Sequence, residues 1–269
     1  MRIPRVIPHL EKERILRLWH QAQEDQWSAK SIHWDAPQVI QSRASKDRMA
    51  RLLTPILMSE QSAFNSASAL LPVLGEEGED ESQYYLATWV VDEARHAELF
   101  YRLFKRFDRA PLSPRRFPAV YFLQSKIYSE DMSVFLAGLL IIEVMAKKSM
   151  TELLRIDVDP ALSEICEGIL RDEARHLGFN RIYVEDKLSR LEAADPASAQ
   201  AYADRLNERM ELVLAEVPKF LGSLETEFRE IGFRSEMVIE ELRIEARQRM
   251  ERAIAAGRNA GAKLAAAGS

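Results

Sequence analysis

The stretches Asp92-Glu93-Ala94-Arg95-His96 and Asp172-Glu173-Ala174-Arg175-His176 are two copies of one pentapeptide. Each lies in a long run of helix-forming residues, 84–107 and 160–191. Residues three apart share a helix face, so Glu93 with His96, and Glu173 with His176, each present a carboxylate beside an imidazole. Such a pair offers two ligands to a first-row metal. Two of these helices, face to face, could hold two ions. The plain alternative is solvated helix surface, since Glu, Ala and Arg are good helix formers. Repetition weakens that alternative, because the chain has five histidines in 269 residues and the two copies use two of them.

Working outward, each motif is preceded by an apolar helix with a lone glutamate. Glu60 sits among Ile56, Leu57, Met58, Ala63, Phe64 and Ala67. Glu143 is the one charge within Val134–Ala146, a stretch apolar on every side and therefore read as a helix buried all round. Burying a bare carboxylate is costly, so Glu60 either faces solvent or has a partner, and Glu143 needs one. For Glu143 an arginine or a bound proton would serve; a metal is more economical. Glu60 precedes Glu93 by 33 residues and Glu143 precedes Glu173 by 30. The chain thus reads as an internal duplication of an αα-hairpin, each half a helix with Glu, a connection, and a helix with Glu-x-x-His.

The remaining elements follow from caps and breakers. A first helix is expected over His9–Trp27, with an apolar stripe of Leu10, Ile15, Leu16, Leu18 and Trp19; Trp27 and Trp34 read as core anchors. Asp47–Leu53 is helical in pattern. Thr54-Pro55 then predicts an N-cap and a fresh helix start, running to Leu71 and ended by Pro72. Val73–Glu81 reads as an acidic loop whose end, Asp80-x-x-Gln83, resembles a capping box. Arg109–Tyr121, with three prolines, is a long connection. Helices are predicted from Asp131 to Leu154, from Asp159-Pro160 to Leu191, and over Ala199–Val217, Leu224–Glu230 and Arg234–Ala256. The Ala/Gly-rich tail after Ala256 is expected to fray.

Composition bounds the class. Hydrophobic residues at 47% and charged residues at 29% describe a globular chain with a sizeable core. Ten glycines are few, and Ala, Leu, Glu and Arg dominate, which favours helix. A net charge of −5 argues against a general nucleic-acid surface. Cys166 is the sole cysteine, which excludes an intrachain disulfide or a cysteine-cluster metal site. Met1-Arg2-Ile3-Pro4 lacks the apolar core of a signal peptide, and Val134–Ile142 is too short to span a bilayer. The expectation is a cytoplasmic protein with no membrane partner.

One Glu from each of two helices, with Glu-x-x-His from each of two others, is the composition of di-iron and di-manganese carboxylate bundles. On these residues the chain resembles the ferritin-like di-iron carboxylate superfamily. The repeated Asp-Glu-x-x-His is closest to its oxygen-activating branch. That branch holds the ribonucleotide reductase small subunit and its ligand-binding oxidase relatives, acyl carrier protein desaturases, bacterial multicomponent monooxygenases and p-aminobenzoate N-oxygenase-like enzymes. The resemblance covers about residues 47–190. It implies an all-α fold, a ferritin-like four-helix bundle with extra flanking helices, within one domain over 1–269. It also implies that Glu60, Glu93 and His96 bind one iron and that Glu143, Glu173 and His176 bind the other, with some glutamates bridging. Manganese, or a mixed Mn/Fe pair, stays open because ligand type does not choose between neighbouring metals. By the same resemblance Asp172 would accept a hydrogen bond from His96, and Asp92 from His176. Helix chemistry alone would instead pair Asp92 with Arg95 and Asp172 with Arg175.

Three positions depart from named relatives. The reductase's radical tyrosine lies four residues after the first ligand histidine; here that position is Phe100, with Tyr101 one step on, and no tyrosine lies in the carboxyl tail. A reductase role is disfavoured. The ligand-binding oxidases' crosslinking tyrosine falls at Gly138, so that crosslink should be absent. The N-oxygenase family's third histidine falls at Ile169, so a strict match to that family is not expected.

The function implied is a di-iron oxidase or oxygenase. It would activate dioxygen to hydroxylate, N-oxygenate, desaturate or cleave a small organic substrate. A ferredoxin- or flavin-type reductase is a possible electron donor, and a homodimer is plausible by family habit. Cavity walls are expected from the ligand-bearing faces: Phe64, Trp89, Phe100, Phe135, Leu139, Leu140, Ala146, Cys166, Ile169 and Leu177. Lys147, one turn beyond Glu143, could also contact substrate, although an outward path is favoured. Two other classes compete. Ferritin-like ferroxidase, storage or peroxide detoxification would need no organic substrate. A non-metal helical interaction module would leave Glu143 unexplained.

Overall fold

A computed structural model describes residues 10–268, and among them the regular structure is helical throughout. The leader residues Met1–Pro4 and the expected helix start at His9 lie outside the described residues. Four long helices form the bundle: α2 (Arg43–Glu76), α3 (Asp80–Arg106), α5 (Met132–Ile156) and α6 (Pro160–Ala194). α2 packs along α3 and α5 along α6, so each predicted hairpin is a real pair, and α3 meets α6 across the middle. Around them lie α1 (Glu13–Glu24), against α3 and α6, and α7 (Pro196–Leu214), against α5 and α6. The short α4 (Pro118–Ser125), α8 (Val217–Gly222) and α9 (Glu225–Ile231) cover α2 and each other's ends. A last helix, α10 (Ser235–Gly268), runs along α6 and α5.

Two predicted breaks do not occur. α2 continues through Thr54-Pro55 and through Pro72. The Thr54 hydroxyl, instead of capping a new helix, donates to Ala50 O one turn back at 2.6 Å and accepts from Leu112 N at 3.0 Å. A proline inside a helix removes a single backbone bond. Here Leu52, Leu53 and Leu57 are buried on the same stretch, and that packing holds the helix through the gap. The helix ends at Gly78, whose φ of +70° suits glycine, with Glu79 N returning to Leu74 O at 2.9 Å. The expected capping box is absent. The N-cap of α3 is Glu79, whose side chain makes no capping bond and binds Lys12 and Arg190 instead, and Gln83 Nε2 reaches across to Leu71 O at 2.7 Å, tying α3 to α2.

Other ends follow their caps. Asp131 accepts from Ser133 N and Val134 N to start α5, and Asp159 from Ala161 N and Leu162 N to start α6. Each such cap contributes about 1 kcal/mol. Asp159 also receives the buried Arg106, whose guanidinium binds Trp34 O and Ala36 O, so one cap fastens the amino-terminal strap to the bundle.

The tail expected to fray is helical to Gly268. Its glycines allow this. A methyl at Gly257 would stand 2.8 Å from Glu185 O, and one at Gly261 2.5 Å from Ser189 O, so α10 lies directly on the backbone of α6. Glu152, buried on α5, binds Arg155 and both the backbone and guanidinium of Arg234, locking the start of α10.

Candidate metal centre

The duplicated motif brings its residues to one buried place. Glu60 on α2, Glu93 and His96 on α3, Glu143 on α5, and Glu173 and His176 on α6 are all under 7% exposed. His96 Nδ1 lies 3.2 Å from Glu60 Oε2 and 3.9 Å from Glu93 Oε2. His176 Nδ1 lies 3.5 Å from Glu93 Oε1, 3.4 Å from Glu143 Oε2 and 3.5 Å from Glu173 Oε2. Two groups have ligand atoms close enough for one ion each: Glu60, Glu93 and His96, and Glu93, Glu173 and His176. Glu93 belongs to both. The two groups share this carboxylate, in keeping with the expectation that some glutamates serve both sites, while Glu143 stands beside the second group with its Oε2 3.4 Å from His176 Nδ1.

The outer nitrogens of the imidazoles cross between halves. His96 Nε2 faces Asp172 Oδ2 at 3.0 Å, and His176 Nε2 faces Asp92 Oδ2 at 3.4 Å. The two arginines bind the same aspartates. Arg95 Nη2 donates to Asp92 Oδ1 at 2.5 Å and Asp172 Oδ2 at 2.8 Å, and Arg175 Nη2 to Asp172 Oδ1 at 2.5 Å and Asp92 Oδ2 at 3.2 Å. Cross-helix pairing and i, i+3 pairing therefore coexist in a buried quartet. Burial alone would raise Asp172, but hydrogen bonds from His96 and Arg95 bring it far below the usual carboxylate range. Asp92 is lowered in the same way, chiefly by His176. Both aspartates stay ionised as acceptors, so each imidazole keeps its proton on Nε2 and turns Nδ1 toward the glutamates. Glu93 goes the other way: burial, then the charges of Glu60 and Glu173, push its carboxyl well up.

Residues outside the motifs complete the shell. Trp89 Nε1 donates to Glu93 Oε1 at 2.8 Å, and its ring stacks on His176 with centroids 4.2 Å apart. From the amino-terminal strap, Trp27 Nε1 donates to Asp172 Oδ2 at 2.8 Å, while Gln26 binds both Asp92 and Arg95. By sequence Trp27 reads as a plain core anchor, and nothing marks Gln26. Trp27 lies 145 residues from its acceptor, beyond any periodicity. Gly168 on α6 admits the indole, since a methyl there would overlap its ring.

Beside the carboxylates lies an apolar cavity of about 80 Å³ between α2 and α5, covered by residues 220–233. Glu60, Glu93, Glu143 and Glu173 form one end of its wall. The rest differs from the expected lining. Of the residues named from the ligand-bearing faces, Ala146 lines this cavity, and Phe135 and Leu139 line a smaller void of about 20 Å³ shared with Ser59 and Ile142. Trp89, Phe100, Leu140, Cys166, Ile169 and Leu177 are buried packing residues, and Phe64 is half-buried on α2. Lys147 leaves the cavity and pairs with Glu245 of α10 at 2.8 Å. The reason is the side on which the space opens: it faces α8 and α9, whose position no helix-face pattern encodes.

Helices delivering duplicated Glu-x-x-His pairs to a shared buried carboxylate define a class, the oxygen-activating, non-haem di-iron oxidoreductases of ferritin-like fold. Within that class, the p-aminobenzoate N-oxygenase AurF family matches residues 69–262, and the chain belongs to that family. The expected mismatch at Ile169 does not remove it; the residue is buried in the core. Glu60 lies before the matched stretch. No curated protein sequence matches the chain significantly. Among solved structures, it is similar to R2-like ligand-binding oxidases. A tyrosine-to-phenylalanine mutant of one, aerobically reconstituted with a Mn/Fe cofactor, superposes with a TM-score of 0.72 at 16% identity, covering 88% of this chain and 92% of that one. A glycine-to-leucine mutant with an Fe/Fe cofactor superposes at 0.66, also at 16% identity, covering 90% and 92%. No described helix is long and apolar enough to cross a membrane.

Proposed function

We propose that this chain is a di-iron oxygenase that uses dioxygen to oxidise a small organic substrate held in the cavity between α2 and α5. One observation carries the reading: the same four glutamates that converge on the two imidazoles also form the end wall of an otherwise apolar cavity. The residues suit a metal pair. Glu143 Oε2, Glu173 Oε2 and His176 Nδ1 are buried without a hydrogen-bond partner, although they point at one another. Orphaned buried polar atoms are expensive, and a cation between them would remove the cost. In this reading Glu60, Glu93 and His96 would hold one iron, and Glu93, Glu143, Glu173 and His176 the other, Glu93 belonging to both groups. The ligand set admits manganese in either position.

When bound, the metal pair supplies the binding and reduction of dioxygen. The chain supplies the rest. Asp92 and Asp172 hold the imidazole protons on Nε2, Trp89 fixes the orientation of Glu93, and Phe220, Leu224 and Phe228 keep water from the substrate. Electrons come from outside, from a ferredoxin- or flavin-type reductase. Because Trp27 and the 220–233 cover both serve the site, the described residues act as one domain. A ferroxidase without organic substrate needs no apolar chamber on its carboxylates, which sets that reading second. The test is metal content per chain after aerobic reconstitution, with oxygen uptake measured with and without candidate substrates. Two metal ions per chain and substrate-dependent uptake support the oxygenase; uptake stoichiometric with ferrous iron alone supports the ferroxidase.

A further inference from the structure

Resting on that reading, we infer that the cavity accepts an uncharged, apolar substrate and rejects a carboxylate-bearing one such as p-aminobenzoate. Among the described residues, no Lys, Arg or His lines the wall. Apart from the four glutamates, its polar side chains are Ser59 and Ser149. The cations nearest in sequence on the lining helices are engaged elsewhere. Arg48 pairs with Glu230, Arg51 with Glu227, Lys147 with Glu245, and Lys148 with Glu241 and Glu245. The cover is apolar: Phe220, Leu221, Leu224, Phe228 and Phe233, with Phe228 and Phe233 stacked at 4.3 Å.

Charge decides the substrate. A carboxylate brought from water into this space meets no donor strong enough to replace its hydration, and an unpaired buried anion is prohibitively costly. The metal end offers no relief, because four glutamate charges already match those of two divalent ions. α2 and α5 are continuous helices here, so their backbone N–H groups are spent on their own turns. Pro55, the proline in the wall, has no backbone N–H to offer an anion. A neutral ring or alkyl chain, by contrast, loses nothing on entry and gains the whole apolar wall.

The test compares two probes that differ in one charge, 4-aminobenzoate and its methyl ester, by calorimetric titration of the iron-loaded protein near neutral pH. The ester should bind about ten-fold or more tightly than the acid. Ala146→Phe, which fills the chamber, should abolish ester binding while iron content stays unchanged. Ser149→Arg, which plants a cation in the wall, should shift the preference toward the acid by about ten-fold. If Ser149→Arg fails to fold, the wild-type comparison still decides. The inference is overturned by acid binding equal to or tighter than ester, by failure of both probes to bind, or by ester binding that ignores Ala146→Phe. A failure of the oxygenase reading shows separately, as a chain that takes up no metal pair.

Discussion

The indole of Trp27 rests on the bare backbone of Gly168, 141 residues further along the chain, and from there donates to Asp172 at 2.8 Å. The contact links a glycine with no chemistry of its own to the orientation of His96. Gly168→Ala should push the ring away, with an overpacking cost of about 1–3 kcal/mol and a weaker grip on metal. Trp27→Phe keeps the ring and drops only the donor. Melting temperature should fall chiefly in the first variant, and metal affinity in both. Unchanged metal affinity in both variants would separate Trp27 from the centre.

Asp172→Asn keeps the shape of the acceptor but removes its charge and offers an N–H toward Arg95 or His96. Ferrous binding should weaken by about 10–100-fold, read by competition with a chromophoric chelator. Arg95→Ala leaves Asp92 and Asp172 underpaired in the interior, at a cost of about 3–5 kcal/mol. Chemical denaturation should show that larger loss even in metal-free protein.

Glu93 belongs to both ligand groups, Glu60 to one. Glu93→Ala should lose both ions and Glu60→Ala should retain one, as counted by elemental analysis of desalted protein. Equal losses from the two variants would contradict the shared carboxylate.

Metal loading should release protons. In the metal-free chain, burial opposes charging His96 and His176, but the bonds of His96 to Asp172 and Glu60, and for His176 the bond to Asp92 with the Glu173 carboxylate close by, raise both well above the usual imidazole range. Glu93 also holds its proton to higher pH than an ordinary glutamate. Ligation needs all three deprotonated at the metal. Adding ferrous ion to weakly buffered protein near neutral pH should acidify the solution, and a flat trace would count against these ligands.

Acid should loosen α10 before it melts the bundle. Burial raises Glu245, but Lys147, Arg249 and Lys148 outweigh it and hold the carboxyl down to about 2. Glu152 is lowered chiefly by Arg234 and Arg155. For depressed carboxylates the stabilisation is complete above the unfolded value of 4.5 and drains away as pH falls toward the folded one. Hydrogen exchange of α10 should therefore accelerate between about pH 4.5 and 2, with Glu245→Gln showing the faster exchange already at neutral pH.

What could be read in advance had short range. The Glu-x-x-His pairs announce themselves because helix geometry joins residues three apart, and Glu143 because a lone charge in an apolar helix demands a partner. Pro55 and Pro72 misled, since local propensity gives them as boundaries while tertiary packing carries α2 through both. The tail misled for a related reason: glycine signals weak helix in isolation, yet the missing side chains of Gly257 and Gly261 are what let α10 lie on α6. The cavity wall was hidden because it depends on where residues 220–233 fold back, and no periodicity within α2 or α5 records that.

The crossed aspartates carry a last consequence. Each hairpin supplies the acceptor that aims the other's imidazole, so neither repeat is a working half. Cut within 107–131 and expressed as separate pieces, the two fragments would be inert toward iron alone and competent only once mixed. The repeat unit of this protein is thus a lock whose key is its own twin.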